Sequence, residues 1–251
     1  MSADPILDLD LGPRALAVTP EHPFALSPQQ VDAINDYVRE VRIVWDSVPD
    51  DRIPPELKEM VTACDRWDSD TRPLLRDVAD GIAEYGQRTA PERYGELEQV
   101  LPALGNPLDL DARSRFQGLL SELVETCRRA AEGARQALDS ASGFSDSMSR
   151  AEQYIRTQLA ARKGGEIQSW QDLLWKAVQN NHSDPRAALA ATQTIWGAWQ
   201  SLYTDLLGAR ETTAHLLDTK VPFLVRVRVD LALTQWRELG EGAWAFRLSI
   251  T

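Results

Sequence analysis

The residues best suited to chemistry in this chain are few and far apart. His22, His182 and His215 stand in three different segments, and a long helix-forming stretch separates Cys64 from Cys127. No His or Cys pair has the short spacing of a metal site, and no Glu-x-x-His pair of a carboxylate metal site is present. A phosphate loop, a nucleophile elbow and a His-Glu helical motif are also missing from the sequence. We therefore predict no enzyme activity, no metal and no cofactor.

The cysteines and carboxylates have simpler explanations than catalysis. Each cysteine lies in an apolar helical stripe, which favours burial as a small apolar side chain over a disulfide. The 38 acidic residues fall on polar helix faces, where solvated surface is expected. Together with 27 basic residues they give a net charge of −11, which repels nucleic-acid phosphates and anionic lipid headgroups. We expect no nucleic-acid partner.

A very long amphipathic helix is the clearest structural signal. After Asp109, apolar residues recur in steps of three or four, which places one stripe on one side of a helix of about fifty residues, roughly 75 Å long. Lys163-Gly164-Gly165 ends this pattern. The stripe consists of Phe116, Leu120, Leu123, Cys127, Ala130, Ala134, Leu138, Ala141, Phe144, Met148, Ala151, Ile155 and Leu159.

The N-terminal half predicts the helices that pack on this stripe. Residues 1–26 carry several prolines and no sustained period, so we expect an extended N-terminal arm. A first helix begins at Ser27-Pro28, a cap residue followed by a first-turn proline. A second helical region covers residues 55–104, and Pro73 and Pro91 must kink it or split it.

The last helix is predicted to begin after Asp184-Pro185 and to extend to about Leu248, with a bend at Pro222. Within residues 221–229, Val and Arg alternate from Val225 to Val229, which leaves a strand as the alternative there. We predict helix, because the helical pattern resumes directly at Leu231.

These elements predict an all-α fold. Two very long antiparallel helices joined by a short tip bury their stripes only against further helices. We expect a single elongated bundle of about five helices over residues 27–251, with residues 164–184 as the tip.

Aromatic and aliphatic residues mark the expected contact and core positions. The tip is too short and too polar to span about 30 Å of hydrocarbon, although its tryptophans suit the boundary between lipid and water. Either the tip contacts a membrane or a partner, or its tryptophans close the end of the bundle. The predicted contact residues are Ile167, Trp170, Leu174 and Trp175. Tryptophans within heptad stripes are predicted to be structural core: Trp196, Trp199, Trp236 and Trp244.

Four segments in the same order resemble one protein family. They are Leu26–Val38, with its Ile-x-x-Tyr-Val, the Trp-x-x-Leu-x-x-Asp-Leu segment Trp199–Leu206, Pro222–Val225, and Trp236–Leu239 followed by Ala243 and Phe246. Together they resemble the alpha-xenorhabdolysin family of binary helical cytotoxins, which belongs with the cytolysin A-like and tripartite enterotoxin group of α-helical pore formers. The resemblance spans roughly residues 25–250. Each motif alone is weak.

This resemblance implies a toxin component that lacks one expected part. Relatives that perforate membranes carry an apolar hairpin between their long central helices, whereas residues 164–181 are polar here. The resemblance therefore implies a soluble bacterial subunit that assembles with other helical toxin subunits and touches a lipid surface peripherally. The alternative is a non-toxic helical scaffold or adaptor. Met1–Pro5 do not begin a secretory signal peptide, so we expect synthesis in the cytoplasm, export by a non-classical route and action outside the cell.

Overall fold

The computed structural model describes residues 6–9, 11–13, 28–46, 48, 54–106, 108–161, 185–218 and 224–250. The predicted tip lies outside these ranges. Its contact residues Ile167, Trp170, Leu174 and Trp175 therefore remain sequence predictions.

The described chain is predominantly helical, and the predicted all-α class is confirmed at that level. The only strands among these residues are two segments of four residues each. The elements in chain order are β1 (Ile6–Leu9), α1 (Pro28–Asp46), α2 (Pro55–Arg66), α3 (Arg72–Glu84), α4 (Ala90–Val100), α5 (Leu110–Ala161), α6 (Pro185–Asp218), β2 (Leu224–Val227) and α7 (Val229–Ser249).

Helices α2, α3 and α4 follow one another as one helical column. A π-helical turn, Trp67–Thr71, joins α2 to α3, and a second one, Tyr85–Thr89, joins α3 to α4. A 3₁₀ turn, Leu101–Gly105, ends the column. Pro73 and Pro91 thus distort the helical region locally without ending it.

The prediction of one continuous last helix is wrong at Leu224–Val227. These residues form β2, which pairs in parallel with β1 from Ile6↔Leu224 to Leu9↔Val227. The alternation of valines suits a strand, but a strand needs a partner for its backbone N–H and C=O groups. That partner comes from the opposite end of the chain, so no local pattern reveals it.

Helix α5 has 52 residues and α6 has 34. Both are much longer than the usual helix of about a dozen residues. The predicted stripe of α5 is largely buried, with Phe116, Cys127 and Ala151 fully inaccessible. Ala130 and Leu138 are half-buried at its border, and Leu159 lies where side chains are not described.

The chain divides into two compact units. The first comprises Met1–Pro23, Val78–Ala134 and Thr194–Ala245, and the second comprises Phe24–Asp77, Arg135–Gln193 and Phe246–Thr251. Each unit takes part of α5 and part of α6. The single elongated bundle over residues 27–251 stays a prediction.

Candidate functional site

The two π turns share a sequence pattern that reasoning from periodicity missed. The first reads Trp67-Asp68-Ser69-Asp70-Thr71-Arg72-Pro73 and the second Tyr85-Gly86-Gln87-Arg88-Thr89-Ala90-Pro91. Both fit aromatic-x-x-x-Thr-x-Pro. A proline alone predicts a kink or a break in the helix. The aromatic residue and the threonine before each proline are the additional signal that marks a π turn in this chain.

The prolines explain why the helix widens there. A proline has no N–H to donate, and its ring crowds the carbonyl group four residues earlier. In both turns the helix adopts the wider hydrogen-bond spacing: Arg72 N–H donates to Trp67 O, and Ala90 N–H donates to Tyr85 O. Such π turns occur frequently at functional sites, so the surroundings of both turns are the candidate site of this protein.

In the second unit, the first π turn packs on α5. The Trp67 and Phe144 rings lie 5.0 Å apart, and the Trp67 indole N–H donates to Asn35 Oδ1 at 3.0 Å. At the end of the turn, the Thr71 and Ser140 hydroxyl groups share a hydrogen bond of 2.7 Å. Trp67 and Thr71 are both fully buried. This turn therefore fixes the distance between the helical column and α5.

A groove of about 610 Å³ opens beside this turn, between α2 and α5. We call it groove 1. The Arg150 guanidinium of α5 forms a salt bridge of 3.1 Å with the Glu59 carboxylate of α2 across the groove. Its floor contains the buried Ala63 and Phe144 and the exposed Gly143. The complete lining is Lys58, Glu59, Thr62, Ala63, Arg66, Asp70, Asp139, Ser140, Gly143, Phe144, Ser147 and Arg150.

One arginine of the neighbouring helix α1 makes several contacts with this region. The Arg42 guanidinium contacts Asp65 at 3.0 Å and Asp68 at 2.5 Å, and it also donates to the Cys64 carbonyl oxygen at 3.1 Å. Asp68 contacts Arg72 at 3.4 Å as well. These charges are half exposed, so the network orients α1 on α2 more than it stabilises the fold.

In the first unit, the second π turn contributes to an aromatic cluster. The Tyr85 ring lies 4.4 Å from Trp236 and 6.2 Å from Trp199, and the two tryptophan rings are 5.5 Å apart. The Trp236 indole N–H donates to the Tyr94 hydroxyl at 3.3 Å. Tyr94 in turn donates to the carbonyl oxygen of Leu11. The cluster thus joins α6 and α7 to the N-terminal segment at Leu11.

Close backbone contact accompanies this cluster. A Cβ atom added at Gly86 would overlap the carbonyl oxygen of Trp236, and it would lie 3.2 Å from the carbonyl carbon of that residue. Gly240 faces Gly86 from α7, and its Cα atom would lie 3.4 Å from the same Cβ. Only a residue without a side chain fits between the π turn and α7.

A second groove, groove 2, of about 420 Å³ lies beside the second π turn. Two ion pairs lie among its lining residues: Arg93 contacts Glu122 at 3.1 Å, and Arg129 contacts Glu125 at 3.4 Å. The Tyr85 hydroxyl is buried with no hydrogen-bond partner among the described residues, and burial raises the pKa of Tyr85 well above its ordinary value. The lining is Tyr85, Thr89, Arg93, Ser121, Glu122, Leu123, Glu125, Thr126 and Arg129.

The four predicted core tryptophans do not share one environment. Trp199 and Trp236 are 2% and 0% exposed, and Trp196 is half-buried. Trp244 is 45% exposed, so the prediction of a core position is wrong for this residue. Each helix residue is rotated by about 100° from the one before it, and the neighbouring Ala243 occupies the buried stripe instead.

Neither cysteine is among the residues that line the two grooves. Cys64 and Cys127 are free and buried, as predicted, and burial raises the pKa of each thiol to about 12. Within the described ranges, no group of three His, Cys, Asp or Glu side chains could hold a metal ion. His22 and His182 lie outside those ranges. The predictions of no enzyme activity and no cofactor stay predictions.

No protein-family model and no curated protein matches the chain. In the part that the structure describes, no helix is both long and apolar enough to cross a membrane.

Proposed function

We propose that this chain is a soluble component of a multi-component α-helical pore-forming cytotoxin, which acts by assembling with partner subunits and by touching a lipid surface peripherally. The observation that carries the proposal is the burial pattern within the resembling segments. In Trp199–Leu206 the apolar positions Trp199, Leu202 and Leu206 are at most 2% exposed, whereas Asp205 is exposed. The apolar residues of this segment are therefore those that pack one helix on its neighbours.

The remaining segments support the same conclusion. Leu26–Val38 overlaps α1, and Pro222–Val225 overlaps β2. In α7, Trp236, Leu239, Ala243 and Phe246 are all buried. Burial of the apolar positions in these segments is what a shared bundle fold requires, since packing constrains buried positions most.

We further infer that α5 and α6 are the antiparallel pair expected of this group. In the first unit, the Gln117 side-chain amide donates to the Thr213 hydroxyl at 3.1 Å. Arg128, further along α5, interacts electrostatically with Tyr203, which comes earlier in α6. As the residue number rises in α5, the number of its neighbour falls in α6. This order supports antiparallel packing.

The surface of the described chain suits assembly. Leu108 and Leu110, at the beginning of α5, are 85% and 71% exposed. Asp109 between them caps the helix by accepting a hydrogen bond from Ala112 N–H at 2.9 Å. In the proposed assembly, these two exposed leucines offer apolar surface to a partner subunit.

The alternative function is a non-toxic helical scaffold or adaptor. The mixed-charge grooves favour it as much as they favour a toxin subunit, because they suit contact with protein rather than with hydrocarbon. Binding to protein partners without any membrane activity would distinguish this function.

Liposome flotation and dye release test the toxin proposal. The purified protein is assayed alone and together with the products of its neighbouring genes, on vesicles with and without anionic lipid. We expect binding or leakage only when the partner subunits are present. If neither vesicles nor any neighbouring gene product retain the protein, the toxin proposal is wrong; retention by protein alone supports the scaffold.

A further inference from the structure

Groove 1 is bordered by a row of basic side chains. Lys58, Thr62 and Arg66 lie one helical turn apart along α2, and all three are exposed. Neither Lys58 nor Arg66 has an ionic partner among the described residues, whereas Glu59 in the same groove is paired with Arg150. A chain with a net charge of −11 thus keeps two unpaired cations along an open groove. We call Lys58 and Arg66 the basic row.

Helix α1 of the same unit carries the complementary row. Asp32, Asp36 and Glu40 are exposed and lie one turn apart. Ile43, 63% exposed, lies on the same face, because all four side chains fall within an arc of about 80° on a helix of 3.6 residues per turn. Asp36 contacts Arg39 at 2.7 Å, but Asp32 and Glu40 have no ionic partner in the described ranges. We call Asp32 and Glu40 the acidic row.

The two rows match in length as well as in charge. Lys58 to Arg66 and Asp32 to Glu40 each span the same number of residues, which corresponds to about 12 Å along a helix. Between the basic residues, the groove floor at Gly143 is open, since a Cβ atom added there would meet nothing within 4 Å. The groove therefore presents two cations at the same spacing as the two carboxylates of the acidic row.

We propose that groove 1 receives the acidic face of α1 from a second copy of this chain. The docked α1 runs antiparallel to α2, so that Glu40 meets Lys58 and Asp32 meets Arg66. This direction also brings Asp70, at the end of the groove, close to the first turn of α1, where the backbone N–H groups favour a negative charge.

The contact is heterologous, because the groove of one copy holds a helix of the next. Contacts of this kind form rings when the rotation between copies closes, and open filaments when it does not. The proposal deepens the assembly role argued above by naming the partner at one surface. Its test requires neither membranes nor other subunits, so its failure and that of the proposed function are distinguishable.

Sedimentation velocity over a range of protein concentrations tests the proposal. The weight-average mass of the wild-type chain should rise above the 28.0 kDa of one copy as the concentration increases. Reversing the basic row with K58E/R66E, or the acidic row with D32K/E40K, should weaken association about tenfold or more, because both attractions become repulsions. An equal mixture of the two variants should restore association, since each then offers a row that complements the other.

Two control variants have the same net charge as the test variants but leave groove 1 and α1 unchanged. R115E/R237E matches K58E/R66E, and E98K/E238K matches D32K/E40K; all four control residues are exposed. Both should associate like the wild type. A wild-type chain that stays monomeric at every concentration would overturn the proposal. So would unchanged association of the K58E/R66E variant, or a mixture that fails to restore it, provided that circular dichroism shows each variant folded.

Discussion

Replacing Gly86 by alanine should destabilise the first unit, although alanine is the better helix former. The added Cβ would overlap the Trp236 carbonyl oxygen, which belongs to the backbone of α7 and cannot rotate away. Overpacking a tight contact costs about 1 to 3 kcal/mol, and a backbone neighbour places this case at the upper end. Alanine recovers about 1 kcal/mol of helix propensity. The net loss is therefore about 2 kcal/mol.

Gly81 provides the matched control. It lies in α3, one turn before the π turn, and a Cβ atom added there would meet nothing within 4 Å. The same Gly→Ala change should therefore stabilise the protein by about 0.5 to 1 kcal/mol, through helix propensity alone. The two substitutions have identical chemistry and opposite expected signs.

Thermal unfolding followed by circular dichroism at 222 nm measures both effects. A loss of about 2 kcal/mol lowers the Tm of a chain of this size by roughly 4 to 8 °C, and the control should raise it by a few degrees. A Gly86→Ala protein as stable as the wild type would refute the reasoning, because the π turn and α7 would then not be in backbone contact.

Three further predictions concern cysteine and tryptophan side chains. Both buried thiols should resist a thiol reagent at pH 8 in the native protein and react once it is unfolded. Folding raises the pKa of each thiol from an ordinary value of 9.0 to about 12, so the unfolded state loses these protons first. The free energy of unfolding should therefore fall as the pH rises above about 9. Trp236→Ala should cost about 3 to 5 kcal/mol in urea denaturation and Trp244→Ala about 1 kcal/mol or less, and equal losses would contradict the different burial of these two residues. Trp170→Ala with Trp175→Ala should weaken partner or lipid binding in flotation assays and leave the Tm nearly unchanged, whereas a large drop in Tm would show that the tip residues are core.

The sequence by itself determined the features that depend on neighbours along the chain. A helix closes its hydrogen bonds within a few residues, so the spacing from Phe116 to Ile155 was enough to predict α5. Prolines likewise mark where helices begin, because only the first turn tolerates the missing N–H: α1, α2 and α6 begin at Pro28, Pro55 and Pro185. The resemblance to helical cytotoxins also came from the sequence, and the proposed function still depends on it.

Only the tertiary structure decided the features whose partners lie far away in the chain. β2 is a strand because β1 supplies its hydrogen bonds, and the local Val–Arg alternation left that choice open. Trp236 is core and Trp244 is surface because packing selects one face of a helix, which composition does not specify. The π turns accommodate Pro73 and Pro91 without ending the helical run, and the aromatic residue of each turn, Trp67 or Tyr85, packs on an aromatic ring from a distant part of the chain.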